Sequence, residues 1–291
     1  MIFRDRPDGR RLRIPHALNA VMPYMMRGRN ESAIYYERDL DVENAMRLVK
    51  AKNDALQGSR EEERYSLFAL VLAALNRTMA IRPRLNRFIH GRALYQRNHV
   101  SFSFIVKQKL SDDAPEGNAK VFLEAEDSLD TVNRRINEAI RHVREYGEGG
   151  DGEKIAKIAH AIPGGKALVV GLYRIIDRLN LAPWALLRTD PLYSSVYVAN
   201  LGSIGLDAPF HHLYEWGNAS IFIVIGKLEQ KEGRGVHAST RRHHVSFKVT
   251  LDERIADGLY FARSASVFSR LLAKPELLEI PLEEAKSILA S

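Results

Sequence analysis

An α+β sandwich, a mixed sheet with helices packed on it, is the fold class this sequence predicts. Three observations carry that expectation. "HHVSFKVTL" (243–251) alternates, with Val245, Phe247, Val249 and Leu251 on one face and Ser246, Lys248 and Thr250 on the other, the period of a half-buried strand. "ASIFIVIGKL" (219–228) is an almost unbroken apolar run, as a central strand covered on both faces requires. "YSLFALVLAALNRTMAI" (65–81) is long and apolar enough for a buried helix that Pro83 ends. The late strands follow one another in hairpin-like succession, which disfavours a doubly wound parallel sheet.

The other elements follow in order. Residues 1–12 read as a polar arm, 13–280 as one domain and 281–291 as an extension. "RIPHALNAVMPYMM" (13–26) puts Ile14, Leu18, Val21, Met22 and Met25 on one helical face, with Pro15 near its start. "AIYYERDL" is extended, and Asp41 caps a helix to about residue 56. A charged connector (57–64) leads to the buried helix. Strand-like runs lie near 86–95, 99–108 and 119–126, before a helix to about 146 capped by Asp127 or Ser128. "GEGGDG" (147–152) is the most flexible-looking point and opens a helical insertion over about 151–190. Within it, "GGKALVVGLYRIIDRLNLAPWALLR" (164–188) joins a broad apolar face to Lys166, Arg174, Arg178 and Arg188. It reads either as a helix packed on the core or as a lid or interfacial helix touching lipid or an acyl chain, with peripheral membrane contact. "SSVYVANLGSIG" (194–205) is a strand entering a glycine-containing turn.

Composition narrows the functions. With 45% hydrophobic and 27% charged residues over 291 positions, the chain is ordinary for a globular protein. The absence of cysteine excludes a disulfide framework, a thiol nucleophile and thiolate metal sites. No apolar leader and no uncharged run of membrane-spanning length is present, so the cytoplasm is the expected compartment. The net charge of +7 favours an anionic partner: nucleic acid, acidic lipid or a phosphorylated cofactor such as coenzyme A. Lys and Arg are scattered and no nucleic-acid motif stands out, so nucleic acid is not expected.

Several stretches together resemble one family over about residues 10–280. "LDVENAMRLVKAKN", "RPRLNRFIHGRALYQRNHVSFSFIV", "VANLGSIG", "ASIFIVIGKL", "DERIADG" and "LLAKPELLE" occur in the order of the catalytic domain of the dihydrolipoamide acyltransferases of 2-oxo acid dehydrogenase complexes. That family shares the chloramphenicol acetyltransferase fold. "DERIADG" is similar to its D-H-R-x-x-D-G signature and "VANLGSIG" to its S-N-L-G-x-x-G turn. The resemblance implies acyl transfer from coenzyme A, with the signature His as general base and a strand Ser or Thr as oxyanion donor. It also implies a site where two subunits of a homotrimer meet.

Carried over residue by residue, the frame matches and the reacting groups do not. Asp252, Arg254, Asp257, Gly258, Asn200 and Gly202 match, with Leu201 between the last two. Glu253 stands where the family has His, and Ala199 where it has Ser. The family holds its loop Asp through an N-terminal Arg, for which Arg13, Arg11 and Arg10 are the candidates. Glu253 shares parity with Val249 and Leu251, so a continuing strand would point it inward. There it would be a base of raised pKa, or a salt-bridge partner of Arg254 or Arg263 in a dead site. "HHLYEWG" (211–217) is a second place for a base, at His211 or His212, and His211 with Glu215 would suit a metal only on a helix. His243 and His244 read as surface residues, and no metal site is expected.

No lipoyl domain precedes the core, so an ordinary dehydrogenase-complex subunit is not expected. Two functions remain: an oligomeric binding or scaffold protein, or an acyltransferase using Glu253 or a loop histidine on an unknown acceptor, for which a lipid would suit the apolar 164–188 segment. Ile280, Leu282, Ala285, Ile288 and Leu289 form one stripe after Pro281, expected to fold back and mask the contact that builds giant cores.

Overall fold

The computed structural model describes residues 5–14, 17–56, 63–107, 116–147, 165–232 and 240–290. Pro15, most of the 57–64 connector, most of "GEGGDG" and the first part of the 151–190 insertion lie outside the described residues.

Two sheets form. Strands β1 (Gly9–Arg11), β3 (Arg87–His90) and β4 (Ala93–Arg97) make a small sheet in the order β1-β4-β3. Strands β2 (Ala33–Asp41), β5 (Val100–Lys107), β6 (Glu116–Leu123), β7 (Val196–Asn200), β8 (Ile221–Glu232) and β9 (Arg241–Asp252) make the large one, in the order β2-β9-β8-β7-β5-β6. It is mixed, because β7 runs parallel to both β5 and β8 while the other pairs are antiparallel. The expected α+β class with a mixed sheet is what forms. The run at 86–95 splits into a hairpin, where Gly91 and Arg92 turn with positive φ.

Helices α1 (Ala17–Met25), α2 (Glu43–Ala55), α3 (Leu67–Ile81), α4 (Leu129–Tyr146), α5 (Gly165–Arg178), α6 (Trp184–Thr189), α7 (Gly258–Ala273) and α8 (Leu282–Ala290) complete the described fold. Ser66 caps α3 by accepting from the Ala69 amide, and Ser128 caps α4 by accepting from Thr131. Such caps contribute about 1 kcal/mol each. Asp41 accepts from the Glu43 amide at the start of α2. Strand parity sets the layers. Ile221, Ile223, Ile225, Phe247 and Leu251 pack in the same core as side chains of α2, α3, α4 and α7. Tyr197, Phe222 and Val224 form a second cluster with Ala208 and Leu213, from the segment that precedes β8.

Four expectations change. The helix at 164–188 is two helices, because Asn180 takes a left-handed conformation and Pro183 precedes α6. The apolar stripe of α5 faces outward at Leu168, Leu172 and Ile175, with Leu179 just past it also exposed, while Tyr173 and Ile176 pack on Leu187 and Tyr193. On α1, Val21 and Met25 are exposed while Met22 is half-buried, so this part of its apolar face is only partly covered within the chain. His243 and His244 are not free surface residues, since they pair with Glu43 and Asp39. At the C-terminus Leu282, Ala285 and Leu289 are buried against the chain's own core, and Arg270 bonds the Leu289 and Ile288 carbonyls.

The polar arm is the largest surprise. Arg6 is buried, donating to Asp8 Oδ1 (2.9 Å) and Asp177 Oδ1 (2.8 Å). Tyr193 donates to Asp177 Oδ2, and Asn218 ties Asp8 to Arg97. His90 bonds the Asp177 carbonyl through Nε2 at 3.0 Å. Burial, then the nearby Arg6 charge, push the His90 imidazole down to about 4, although Asp177 and Asp8 pull the other way. His90 is therefore neutral in the folded protein at pH 5–6, whereas the unfolded chain takes up the proton near 6.5. Between about pH 4 and 6.5 the unfolded state binds more protons, so stability falls as pH falls. Denaturant unfolding should show a loss reaching about 3 kcal/mol across this window from His90. The His90→Gln variant, which can keep the bond to the carbonyl, should lose that increment; an unchanged pH slope would contradict the assignment.

Candidate functional site

Ala199 lies near the end of β7, paired with Val224 of β8. The strand ends at Asn200 and turns through a short helical segment, Leu201–Ile204, closed by Gly205 at φ 74°. Gly202 is required at this turn. A Cβ there would stand 2.4 Å from the Gly226 carbonyl oxygen, closer than any side chain permits. The Ser203 hydroxyl donates to the Asn200 carbonyl at 2.7 Å. Ala199 itself offers only a methyl group, so this position supplies no hydrogen bond to an oxyanion.

At the other end of the sheet, β9 stops at Asp252, opposite Ala33 of β2. The strand phase does not continue, which overturns the expectation of an inward Glu253. The Glu253 amide donates to the Ser32 carbonyl at 3.0 Å while the chain turns, and its side chain is half-exposed. Its carboxylate makes no ion pair with another described residue, and the expected bridge to Arg254 or Arg263 does not form. Arg254 instead clamps Asp252 with two near-parallel bonds, Nε to Oδ1 (2.8 Å) and Nη2 to Oδ2 (2.7 Å). Arg254 also reaches the Met26 and Arg27 carbonyls just after α1. Both side chains of this pair are buried. A forked arginine–carboxylate contact of this kind fixes orientation as well as charge.

Asp257 caps α7, accepting from the Tyr260 amide at 2.8 Å, and Gly258 is the first residue of that helix. The cation facing Asp257 is Arg84, at 3.7 Å, while Arg13 is exposed. The expected N-terminal arginine is thus replaced by one from the turn after α3. Beneath the loop, Arg29 is buried and donates to the Tyr214, Glu215 and Gly217 carbonyls. Burial lowers its pKa, opposed by Asp252 and Glu215.

Register gives the spacing of Ala199 and Glu253. Ala199 pairs with Val224, which pairs with Lys248, four residues before Asp252. The separation is about 13 Å along the strands to Asp252 and about 10 Å across two strand spacings. One chain therefore does not bring Glu253 and Ala199 together.

The histidine loop lies between them. His211 stacks on Phe222 at 3.9 Å, and the Thr250 hydroxyl donates to the His211 carbonyl. Phe222 pairs with Tyr197, one pleat from Ala199. His211 Nδ1 is 2.7 Å from the His212 carbonyl, so Nδ1 carries the proton and Nε2 holds the lone pair. Burial lowers the His211 pKa, which keeps this ring neutral at pH 7. His212 is exposed. The loop is not helical, and Glu215 bonds Asn30, so His211 and Glu215 do not form a metal pair. Trp216 donates to Asp190 and stacks on Tyr173. Among the described residues no group of His, Asp and Glu could hold a metal ion, and no helix is long and apolar enough to cross a membrane.

No family model matches this chain, and no curated protein matches it. Solved structures do. A probable dihydrolipoamide acetyltransferase from Listeria monocytogenes superposes with a TM-score of 0.60 at 14% identity, over 90% of this chain and 94% of that one. The dihydrolipoamide acetyltransferase of Azotobacter vinelandii, for which a serine, a histidine and an asparagine are named in the catalytic mechanism, gives 0.61 at 14% identity over 92% and 94%. A chloramphenicol acetyltransferase gives 0.55 at 12% identity over 91% and 98%. The chain has the chloramphenicol acetyltransferase-like fold of these acyltransferase catalytic cores.

Proposed function

We propose that this protein is an oligomeric coenzyme A-binding protein built on the acyltransferase fold, without the His/Ser transfer chemistry, and acting as a binding or scaffold protein. One observation carries the reading. The buried Asp252–Arg254 clamp keeps the loop in shape, while the positions it would serve hold Glu253 and Ala199. The cationic chain suits the phosphates of coenzyme A. The distance between Ala199 and Glu253 suits a site shared between neighbours. Exposed Val21, Tyr24 and Met25 on α1 lie in the helix that leads to the carbonyls Arg254 holds, where a neighbour could cover them. A closed trimer satisfies such head-to-tail contacts without forming filaments. Leu282, Ala285 and Leu289 of the C-terminal stripe are turned onto the chain's own core, which takes them out of reach of a larger cage contact.

A second reading has its own support. His211, neutral and with a free Nε2 lone pair, could act as the base for an acyl acceptor on the Ala199 side of the sheet. Light scattering should give about three times the 33.0 kDa chain mass. Calorimetry should show coenzyme A binding with no acetyl transfer to dihydrolipoamide. A stable monomer, or no binding at millimolar coenzyme A, contradicts the first reading. Transfer abolished by His211→Gln but not by Glu253→Gln selects the second.

A further inference from the structure

A cavity of about 230 Å³ lies between the helix-facing side of the large sheet and α7. Its walls are almost wholly apolar. Helix α7 turns Gly258, Ala262, Ala265 and Ser269 toward it, at the spacing of one helical face. These small side chains leave a slot that larger ones would fill. The opposite wall is Ile34, Tyr36 and Arg38 of β2, and the floor includes Phe247 and Ile223. Gly258 and Ala262 are exposed, so the slot opens to solvent along α7. An apolar chain lying in it would take this apolar lining out of water, at about 25 cal/mol for each Å² covered.

Shape and charge narrow the ligand. From Gly258 to Ser269 the helix advances about 16 Å, so the slot is long and narrow. At roughly 30 Å³ for each small group, it holds about seven or eight methylenes. The slot reaches the sheet edge, because β2 is the outermost strand. There Arg38 lies over the Tyr36 ring at 5.3 Å and donates to its hydroxyl. On the other face of β2, Glu37 and Asp39 are paired with Lys248 and Lys231. Arg38 has no acidic partner among the described residues, and its terminal nitrogens are available to an anion.

We propose that this slot binds an unbranched, medium-chain fatty carboxylate, with the chain under α7 and the carboxylate on Arg38. The site lies on the helix side of the sheet, away from Ala199 and His211, and does not depend on the coenzyme A reading. Titration calorimetry with octanoate, octanol and octanoyl-coenzyme A tests it. Octanoate should bind the native protein. Ala265→Leu fills the slot and should weaken octanoate at least about tenfold, with a thermal midpoint that is unchanged or raised. Arg38→Gln, at the surface, should weaken octanoate about tenfold and leave octanol unchanged. No octanoate binding at millimolar concentration, or equal binding by Ala265→Leu, overturns the proposal. Binding of the thioester alone, sensitive to Ala265→Leu, overturns the Arg38 contact and assigns the chain to an acyl thioester. Coenzyme A without an acyl chain, run alongside, separates failure here from failure of the coenzyme A reading.

Discussion

The double variant Glu253→His, Ala199→Ser is expected to transfer acetyl groups from acetyl-coenzyme A to dihydrolipoamide, where the native protein gives only background. The frame around both positions is built: Asp252 and Arg254 are clamped, Asp257 caps α7, and Gly202 holds the turn. On the reading proposed above, what these positions lack is one proton acceptor and one hydroxyl. A general base contributes about 10²–10⁴ in rate, and one oxyanion donor about 10²–10³. Each single variant should therefore gain far less than the pair, since the two groups act on the same transition state. Formation of S-acetyldihydrolipoamide, followed by chromatography at several acetyl-coenzyme A concentrations, separates a gain in kcat from a change in KM. A native rate equal to that of the double variant would sink the reading of a chemically silent site. A double variant no faster than background would mean that the neighbouring surfaces, and not the two side chains, had diverged.

Asp177→Ala is expected to destabilise the fold by about 3–5 kcal/mol, among the largest effects of any single change. It strands the buried Arg6 guanidinium and removes the acceptor of Tyr193. Arg6→Ala should be similarly severe, leaving Asp8 and Asp177 without their shared cation. The Asp8 carboxyl is buried yet held below its ordinary range, because Arg6 and Arg97 outweigh the cost of burial. The pair of changes should be far from additive, since most of each loss is the cost of the partner left behind. Denaturant unfolding of the two single variants and the double variant measures this coupling. Losses under about 1 kcal/mol would show that water reaches the network and screens it.

Sequence patterns located the layers but not this network. Alternation in β9 and the apolar run of β8 reported their burial directly, because side-chain period is a local property. Ser128 and Asp41 announced helix starts through local bonds to backbone amides. Arg6 and Asp177 lie 171 residues apart, and nothing in either neighbourhood marks them as partners. Lys120 was equally silent. It sits in an alternating strand as a polar outward residue, yet it is half-buried, with its ammonium donating to the Leu187, Asp190 and Tyr193 carbonyls at 2.8–2.9 Å. Burial pushes its pKa down to about 7. Glu253 was misplaced for a different reason. Parity holds only while the strand stays extended, and the chain turns at Glu253, just past the last ladder pair Ala33–Asp252, although the Glu253 amide still reaches the Ser32 carbonyl. At 164–188 apolar periodicity ran on across Asn180 and Pro183, where the backbone could not.

The spacing of Ala199 and Glu253 has a genetic meaning. If each working site in a ring takes one position from one chain and the other from its neighbour, two differently crippled chains can rescue each other. Co-expressed Glu253→His and Ala199→Ser chains would form mixed rings in which some junctions carry both new groups, although neither chain carries both. Activity regained on mixing, and lost again when the rings are kept homogeneous, is complementation between subunits. A site confined within one chain could never show it.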